Sequence, residues 1–234
     1  MSLTTVVLQS NYLPWIGYFD LIGRADLCIF YDDVQFTKND WRNRNIIKTK
    51  NGPSWLTIPV GQSIRRMINE VLIIDSSWQI KHRKKILQTY GNFNNNEDYL
   101  SDLINFLYER NSWKNLSLLN QSSIVKISTE FLNINTKFDS SSRFELEGKG
   151  ERRLLNLLEL SGTTEYLSGP AGKNYLTTDN FKKRGIALKF FEYPNYPAYI
   201  QNYQPFHPKV SIIDLLFSLG INSRIYLKEL RKIT

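Results

Sequence analysis

Two short apolar runs, Val6-Val7-Leu8 and Leu27-Cys28-Ile29-Phe30, each break abruptly into polar residues and stand one short helix apart. Runs of this length, bounded by polar and turn residues, suit strands buried on both faces. The first ends at Gln9-Ser10-Asn11 and passes through Tyr12-Leu13-Pro14-Trp15-Ile16-Gly17-Tyr18 into Phe19–Arg24, a segment with the length of a short helix. The second ends at Tyr31-Asp32-Asp33. Strand, helix and strand make a βαβ start, which predicts an α/β protein with a short, mostly parallel sheet flanked by helices. In open sheets of that kind ligands bind beyond the carboxyl ends of the strands, where Gln9, Asn11, Asp32 and Asp33 fall.

Further along, Trp55–Val60 and Val71–Ile74 read as strands, joined by the polar stretch Gly61–Glu70 that carries Arg65 and Arg66. From Trp78 to about Asn135 apolar residues recur at helical spacing, as in Ile80, Ile86, Leu87 and Tyr90. A helical section therefore occupies the middle of the chain, with Asn92–Asn96 as a break and Ser112 as a helix start. Asp139–Arg143 is loop-like, and Gly148–Arg153 leads into a helical pattern of leucines that stops at Gly162. Glu165–Ser168 and Ile186–Tyr193 read as strands of a second βαβ unit. Past the Pro/Tyr-rich segment Pro194–Pro208, Ser211–Leu219 reads as a last helix ended by Gly220. With 234 residues, 41% of them hydrophobic, and no repeat or long linker, a single α/β domain over residues 1–234 is expected, its helical section at about 78–135.

No apolar stretch approaches the roughly 18 to 20 residues that span a bilayer, and no basic n-region precedes an apolar h-region, so a cytoplasmic location is expected. The single cysteine, Cys28, sits inside an apolar run, as a buried thiol in a reducing compartment would. The net charge of +8 and pI near 9.4 favour polyanionic partners: tRNA, a nucleotide-sugar diphosphate, or an anionic membrane face touched peripherally. The densest basic runs, Lys81–Lys85 and Lys182–Arg184, also fit solvated helix faces. With one cysteine and two separated histidines, His82 and His207, no Cys/His metal site is expected.

Three groups of residues carry candidate chemistry. Asp32 and Asp33 follow a buried strand and precede Gln35 and Lys38. One of the two carboxylates is a candidate general base toward an amine or hydroxyl, or a ligand for a sugar hydroxyl or Mg²⁺; the structural alternative is a strand-end pair that caps amides and meets an arginine. Trp41, Asn43, Arg44 and Asn45 combine a stacking surface, two amides and a guanidinium fork suited to a sugar or a phosphate; the alternative is an edge strand with a polar face. Gly169-Pro170-Ala171-Gly172-Lys173, with Tyr175 just beyond, offers backbone amides and a lysine after a strand, suited to a phosphate or an acyl carbonyl; the alternative is a plain turn. It lacks P-loop spacing. His82 is the candidate imidazole acid or base, set against a surface histidine in a basic helix.

The segment Leu8-Gln9-Ser10-Asn11-Tyr12-Leu13-Pro14-Trp15-Ile16-Gly17-Tyr18-Phe19, followed by Tyr31-Asp32-Asp33-Val34-Gln35-Phe36, resembles the WbqC-like protein family. So do Trp41-Arg42-Asn43-Arg44-Asn45, Trp55–Val60, Tyr166–Leu176 and Ser211–Phe217, in the same order, so the resemblance spans nearly the whole chain. Where that family usually has Pro after the first Gln, this chain has Ser10. The resemblance implies a role in O-antigen or other surface-polysaccharide biosynthesis, as a glycine transferase acting on an amino sugar. It also places Tyr12 and Tyr18 beside Gln9, Asn11, Gln35, Lys38 and Gly169 as substrate-binding residues.

The leading expectation is a transferase that attaches glycine or another acyl or aminoacyl group to the amine of a nucleotide-linked amino sugar. Asp32, Asp33 or His82 would take the amine proton, and Lys173 or Arg44 would face the oxyanion or phosphates. No cofactor is assigned from the sequence; aminoacyl-tRNA or ATP would serve as cosubstrate on the donor side. One alternative is an ATP-dependent adenylate-forming ligase or nucleotidylyltransferase-like enzyme, which Asn11–Tyr18 vaguely resembles, although Trp15 and Tyr18 stand where such enzymes place histidines. Another is a non-catalytic nucleic-acid or carbohydrate-binding protein.

Overall fold

A computed structural model describes residues 2–91, 93 and 96–233. Five strands, β1 (Thr4–Leu8), β2 (Leu27–Phe30), β5 (Lys137–Ser140), β6 (Glu165–Ser168) and β7 (Ala187–Phe190), form one parallel sheet in the order β5-β2-β1-β6-β7. Outside that sheet, β3 (Arg44–Thr49) and β4 (Gly52–Thr57) pair as a separate antiparallel hairpin. The chain therefore starts at the centre of the sheet, builds outward on one side through β2 and β5, and returns across β1 to build β6 and β7 on the other. The direction of winding reverses between β1 and β6, the switch point at which doubly wound sheets hold ligands.

The alternation of side chains along β1 separates two apolar layers. Val6 packs in a large core with Cys28 of β2 and with Phe19 and Ile22 of α1 (Ile16–Ile22). Val7, one residue on, packs on the other face against Leu155 and Leu158 of α5 (Gly150–Leu160), Tyr166 of β6 and Phe181 of α6 (Thr178–Lys182). Phe19 and Phe181 are fully buried, each burial contributing about 2–3 kcal/mol. Each face of the sheet is thus closed by helices, the reason its strands read as continuous apolar runs.

The hairpin and the helices α2 (Ser77–Tyr90), α3 (Glu97–Tyr108) and α4 (Leu116–Lys126) are inserted between β2 and β5. They extend the larger core through Trp78, Ile86, Leu103 and Leu119 and meet α7 (Ile212–Leu219), which in turn packs on α8 (Ser223–Ile233). Among the described residues no helix is long and apolar enough to cross a membrane.

The α/β architecture and its central helical section match expectation, while several boundaries do not. The helix placed at Phe19–Arg24 begins three residues earlier, at Ile16. Trp55–Val60 contributes only its first residues to a strand, and that strand pairs with β3 rather than joining the parallel sheet. Val71–Ile74 is no strand: it finds no partner strand and makes one isolated bridge, Leu72 to Asn115, beside the start of α4. That helix starts at Leu116 rather than near Ser112, because the Asn115 side chain accepts the Leu118 N–H and caps it. Part of the expected loop, Asp139–Arg143, belongs to β5, whose Phe138 stacks on Phe30 at 5.7 Å. The break at Asn92–Asn96 lies mostly outside the described residues, and α8 was not anticipated.

Candidate functional site at the switch point

A cleft of about 880 Å³ opens at the carboxyl ends of β1, β2 and β6. Leu8 and Gln9 enter it from the end of β1, Tyr31 and Asp33 from the end of β2, and Tyr166 and Tyr175 from the β6 side. Another wall is Gly148-Lys149-Gly150 together with Arg153, the entry to α5 and its first turn. Gly148 and Gly150 hold φ of +84° and +54°, a left-handed backbone that side chains resist. The two glycines turn the chain sharply around Lys149, which caps α5 without any side-chain hydrogen bond. The amides of the first helical turn, which have no intrahelical acceptor, and the positive end of the helix therefore belong to the cleft wall.

Charge in the cleft is arranged around one ion pair. Arg153 Nη2 donates to Asp33 Oδ2 at 2.7 Å, Ser141 Oγ donates to the other carboxylate oxygen, and the Arg153 guanidinium lies 5.2 Å from the Tyr31 ring centroid. Burial pushes the Asp33 carboxyl up, but the hydrogen bonds from Arg153 and Ser141 and the Arg153 charge outweigh it and hold the group below its ordinary value. Burial likewise raises the Tyr31 phenol, against the pull of Arg153. Arg153 Nη1 is shielded from solvent and makes no hydrogen bond, so part of the guanidinium still lacks an acceptor. Among the described residues Asp33 is the one carboxylate lining the cleft, against the cations Lys149 and Arg153. The balance favours an anionic ligand.

The expected site residues divide among three environments. Gln9, Asp33, Gln35 and Tyr175 line the cleft. Asn11, Trp41 and Asn45 line a second, smaller pocket with Trp15 and Lys209. The others are built into the fold or its surface. Asp32 is buried and accepts from the Ser10 amide (2.8 Å), Ser10 Oγ (2.6 Å), Gln121 Nε2 (2.8 Å) and Ser117 Oγ, so its carboxylate knits the β1 loop to α4. Tyr12 and His82 are buried together: Tyr12 Oη lies 2.9 Å from His82 Nδ1 and 2.8 Å from Tyr108 Oη, with Trp78 edge-on to both rings. Burial, then the Lys85 charge, lowers the His82 pKa to about 4, so the imidazole is neutral near pH 7.

Tyr18 is buried and donates to the Gln9 carbonyl at 3.0 Å, which positions the loop at the cleft floor. Asn43 donates to the Ile58 carbonyl, and Arg44 stacks over Trp55 at 4.2 Å on the hairpin. Lys38 is exposed and bonded to Gln62. Gly169 enters a 3₁₀ turn, Pro170–Asn174. In that turn a side chain at Gly172 would collide with Ser168 Oγ, and Lys173 pairs with Glu192 at 2.7 Å. Lys173 is not among the cleft residues. Among the described residues no group of three or more His, Cys, Asp or Glu side chains is placed to hold a metal.

Sequence reasoning passed over Gly148-Lys149-Gly150 and Arg153 as site residues. A signal was present: two glycines flanking a lysine just before an amphipathic helix, with an arginine one turn in. Nothing local shows that this turn faces the end of β1, since β5 and α5 return to the centre of the sheet only in three dimensions.

Sheet order and cleft together define a doubly wound α/β protein with a cleft, lined by Lys149 and Arg153, at its switch point. The chain belongs to the WbqC-like protein family, whose model matches residues 9–226. It is similar to the uncharacterized protein Rv1507c of Mycobacterium tuberculosis (strain ATCC 25618 / H37Rv), 39% identical over 231 residues, 97% of this chain and 98% of that protein. No solved structure matches it.

Proposed function

We propose that the protein is a transferase of surface-polysaccharide biosynthesis that attaches glycine or another aminoacyl group to the amine of a nucleotide-linked amino sugar. The observation that carries this reading is the pairing, in one cleft, of a cationic helix entry with a single carboxylate and flanking tyrosines. The diphosphate lies on the amides of Gly150 and the next residues, with Lys149 over it. Tyr175, 62% exposed at the rim, offers a face for the base. Asp33 meets the sugar ammonium.

A carboxylate held below its ordinary range is a weak base, so Asp33 orients the ammonium rather than deprotonating it efficiently. The ammonium loses one proton to solvent, its nitrogen forms a bond to the acyl carbon, the donor ester C–O bond breaks, and a second nitrogen proton passes to the departing alcohol oxygen. The donor in this reading is an aminoacyl ester such as an aminoacyl-tRNA, attracted by the net charge of +8. Asp32, His82 and Lys173 do not touch the substrate in it.

Thermal-shift titration tests the reading, since a ligand that binds only the folded state raises Tm by mass action. UDP- or dTDP-linked amino sugars are expected to raise Tm, and Lys149→Ala to weaken that binding about tenfold, the scale of one charge-assisted contact. Failure of every nucleotide-linked amino sugar to bind would sink it. The strand order, with a cleft at the turn after β1, also suits an ATP-dependent adenylate-forming enzyme. Stabilisation by ATP together with pyrophosphate release on adding glycine would favour that second reading.

A further inference from the structure

The smaller pocket, about 240 Å³, is lined by Trp15, Trp41, Asn11, Asn45, Pro14 and Lys209. Three segments distant in sequence meet there and are fastened together. The Tyr12 amide donates to the Trp41 carbonyl at 2.9 Å. Asn45 Nδ2 donates to the carbonyls of Tyr12 (3.1 Å) and Leu13 (2.7 Å), and Ser211 Oγ to that of Leu13 at 2.8 Å. Asn45 spends its amide on this frame, its Oδ1 accepting the Ile46 N–H. The Asn11 side chain and the Lys209 ammonium, by contrast, make no hydrogen bond or ion pair with any described residue and are available to a ligand.

The two indoles are held differently. Trp15 is fixed from behind by Tyr193 and Tyr196, with ring centroids at 5.1 and 5.5 Å. Trp41 is 48% exposed and leans on Trp55 at 5.7 Å, itself covered by Arg44. The result is one rigid aromatic wall, one accessible aromatic face, a free amide with both donor and acceptor, and a free ammonium. The volume falls below the roughly 300–1,000 Å³ of drug-sized sites, which suits a single ring rather than a nucleotide.

From this pocket we infer a pyranose-binding subsite. The apolar C–H face of a sugar ring lies on Trp41 against Trp15, Asn11 Nδ2 and Oδ1 engage a pair of adjacent hydroxyls, and Lys209 donates to a further ring or hydroxyl oxygen. Gln9 lines the switch-point cleft and Asn11 lines this pocket. Two residues of chain span at most about 7 Å, so the two sites are neighbours across one strand-end loop. The inference deepens the transferase reading by supplying a separate place for saccharide, yet it stands on this pocket alone.

The test is saturation-transfer NMR and tryptophan fluorescence on the full chain, titrated separately with free N-acetylglucosamine, glucose, galactose, mannose and rhamnose, and with UDP. At least one sugar is expected to give saturable ring C–H transfer and a fluorescence change. Trp41→Ala should abolish both, Trp41→Tyr should retain them, and Asn11→Ala should weaken binding several-fold. UDP binding in the cleft should be unaffected by Trp41→Ala and weakened by Lys149→Ala. Absence of saturable binding by all five sugars, or binding that survives Trp41→Ala and Asn11→Ala unchanged, overturns the subsite. UDP binding without sugar binding would remove the subsite and leave the nucleotide reading intact, and sugar binding without UDP the reverse.

Discussion

Asp33, three residues past the end of β2, and Arg153, in the first turn of α5, meet in a 2.7 Å ion pair that ties the sheet's carboxyl edge to the helix entry lining the cleft. The two side chains come from opposite sides of the insertion, 120 residues apart.

Removing the pair with Arg153→Ala should cost about 1–2 kcal/mol, between the exposed and fully buried limits for ion pairs. In a chain of this size that is about 2–8 °C in Tm. Because the folded-state pKa of Asp33 is depressed, the pair's stabilisation is fully present above the ordinary carboxylate pKa and is lost as pH falls through that value toward the folded one. Thermal melts of wild type and variant should therefore converge in acid. A gap that stays constant down to acid pH would show that the charge pair is not its source.

The adjacent aspartates should behave in opposite ways. Asp32→Asn turns an amide N–H₂ toward the donors of Ser10, Ser117 and Gln121 and should cost about 2–4 kcal/mol, or roughly 5–15 °C in Tm. Asp33→Asn also disturbs the acceptors of Arg153 and Ser141, but at a more solvated site it should cost less than Asp32→Asn, while on the proposed reading it impairs recognition of the ammonium of a nucleotide-linked amino sugar. Calorimetry and ligand titration on both variants would reverse the assignment if Asp32→Asn melted like wild type.

His82 gives stability a pH slope of its own. Its folded pKa of about 4 lies below the ordinary 6.5, so the unfolded chain binds the extra proton between those values. Stability from this group is complete above about pH 6.5 and falls with acidification toward pH 4, by up to about 3 kcal/mol. Denaturant titrations of His82→Gln across that window should show a flatter profile than wild type, and equal slopes would place the imidazole in contact with water.

Cys28 lies fully buried in β2, and burial, aided by the charge of Asp32, pushes its thiol far above the ordinary range. Neither exposure nor thiolate is available in the native state. Ellman's reagent should therefore leave the folded protein unmodified and titrate one thiol per chain in guanidinium. Rapid labelling of the native protein would contradict the packing of β2.

How much of the site was legible depended on how local its signal was. Gln9 and Asp33 could be placed at the cleft from sequence because a strand followed by polar residues marks that strand's carboxyl end, where an open sheet has its crevice. Asp32, with the same local signal, was indistinguishable from Asp33 until Ser117 and Gln121 of α4 closed over it. His82 carried the basic surroundings of a surface residue, Lys81 and Arg83–Lys85. Its own position on α2 nevertheless turns inward onto Tyr12 and Tyr108.

Periodicity and turn residues were sufficient for β1, β2, β6, α5 and α7, because burial on both sheet faces and Gly stops leave local marks. They placed the chain among parallel α/β proteins and put polar residues at strand ends. Strand order, the partnership of β3 with β4, and the edge strand β5 are pairings between segments far apart in sequence, and no local pattern encodes which segments meet. The reversal between β1 and β6 brought Lys149 and Arg153 to Asp33, and the packing of three segments around Pro14 separated Asn11 and Trp41 from that cleft. A site of this kind is a relation among strand ends, and it exists only once long-range pairing has set which ends are neighbours.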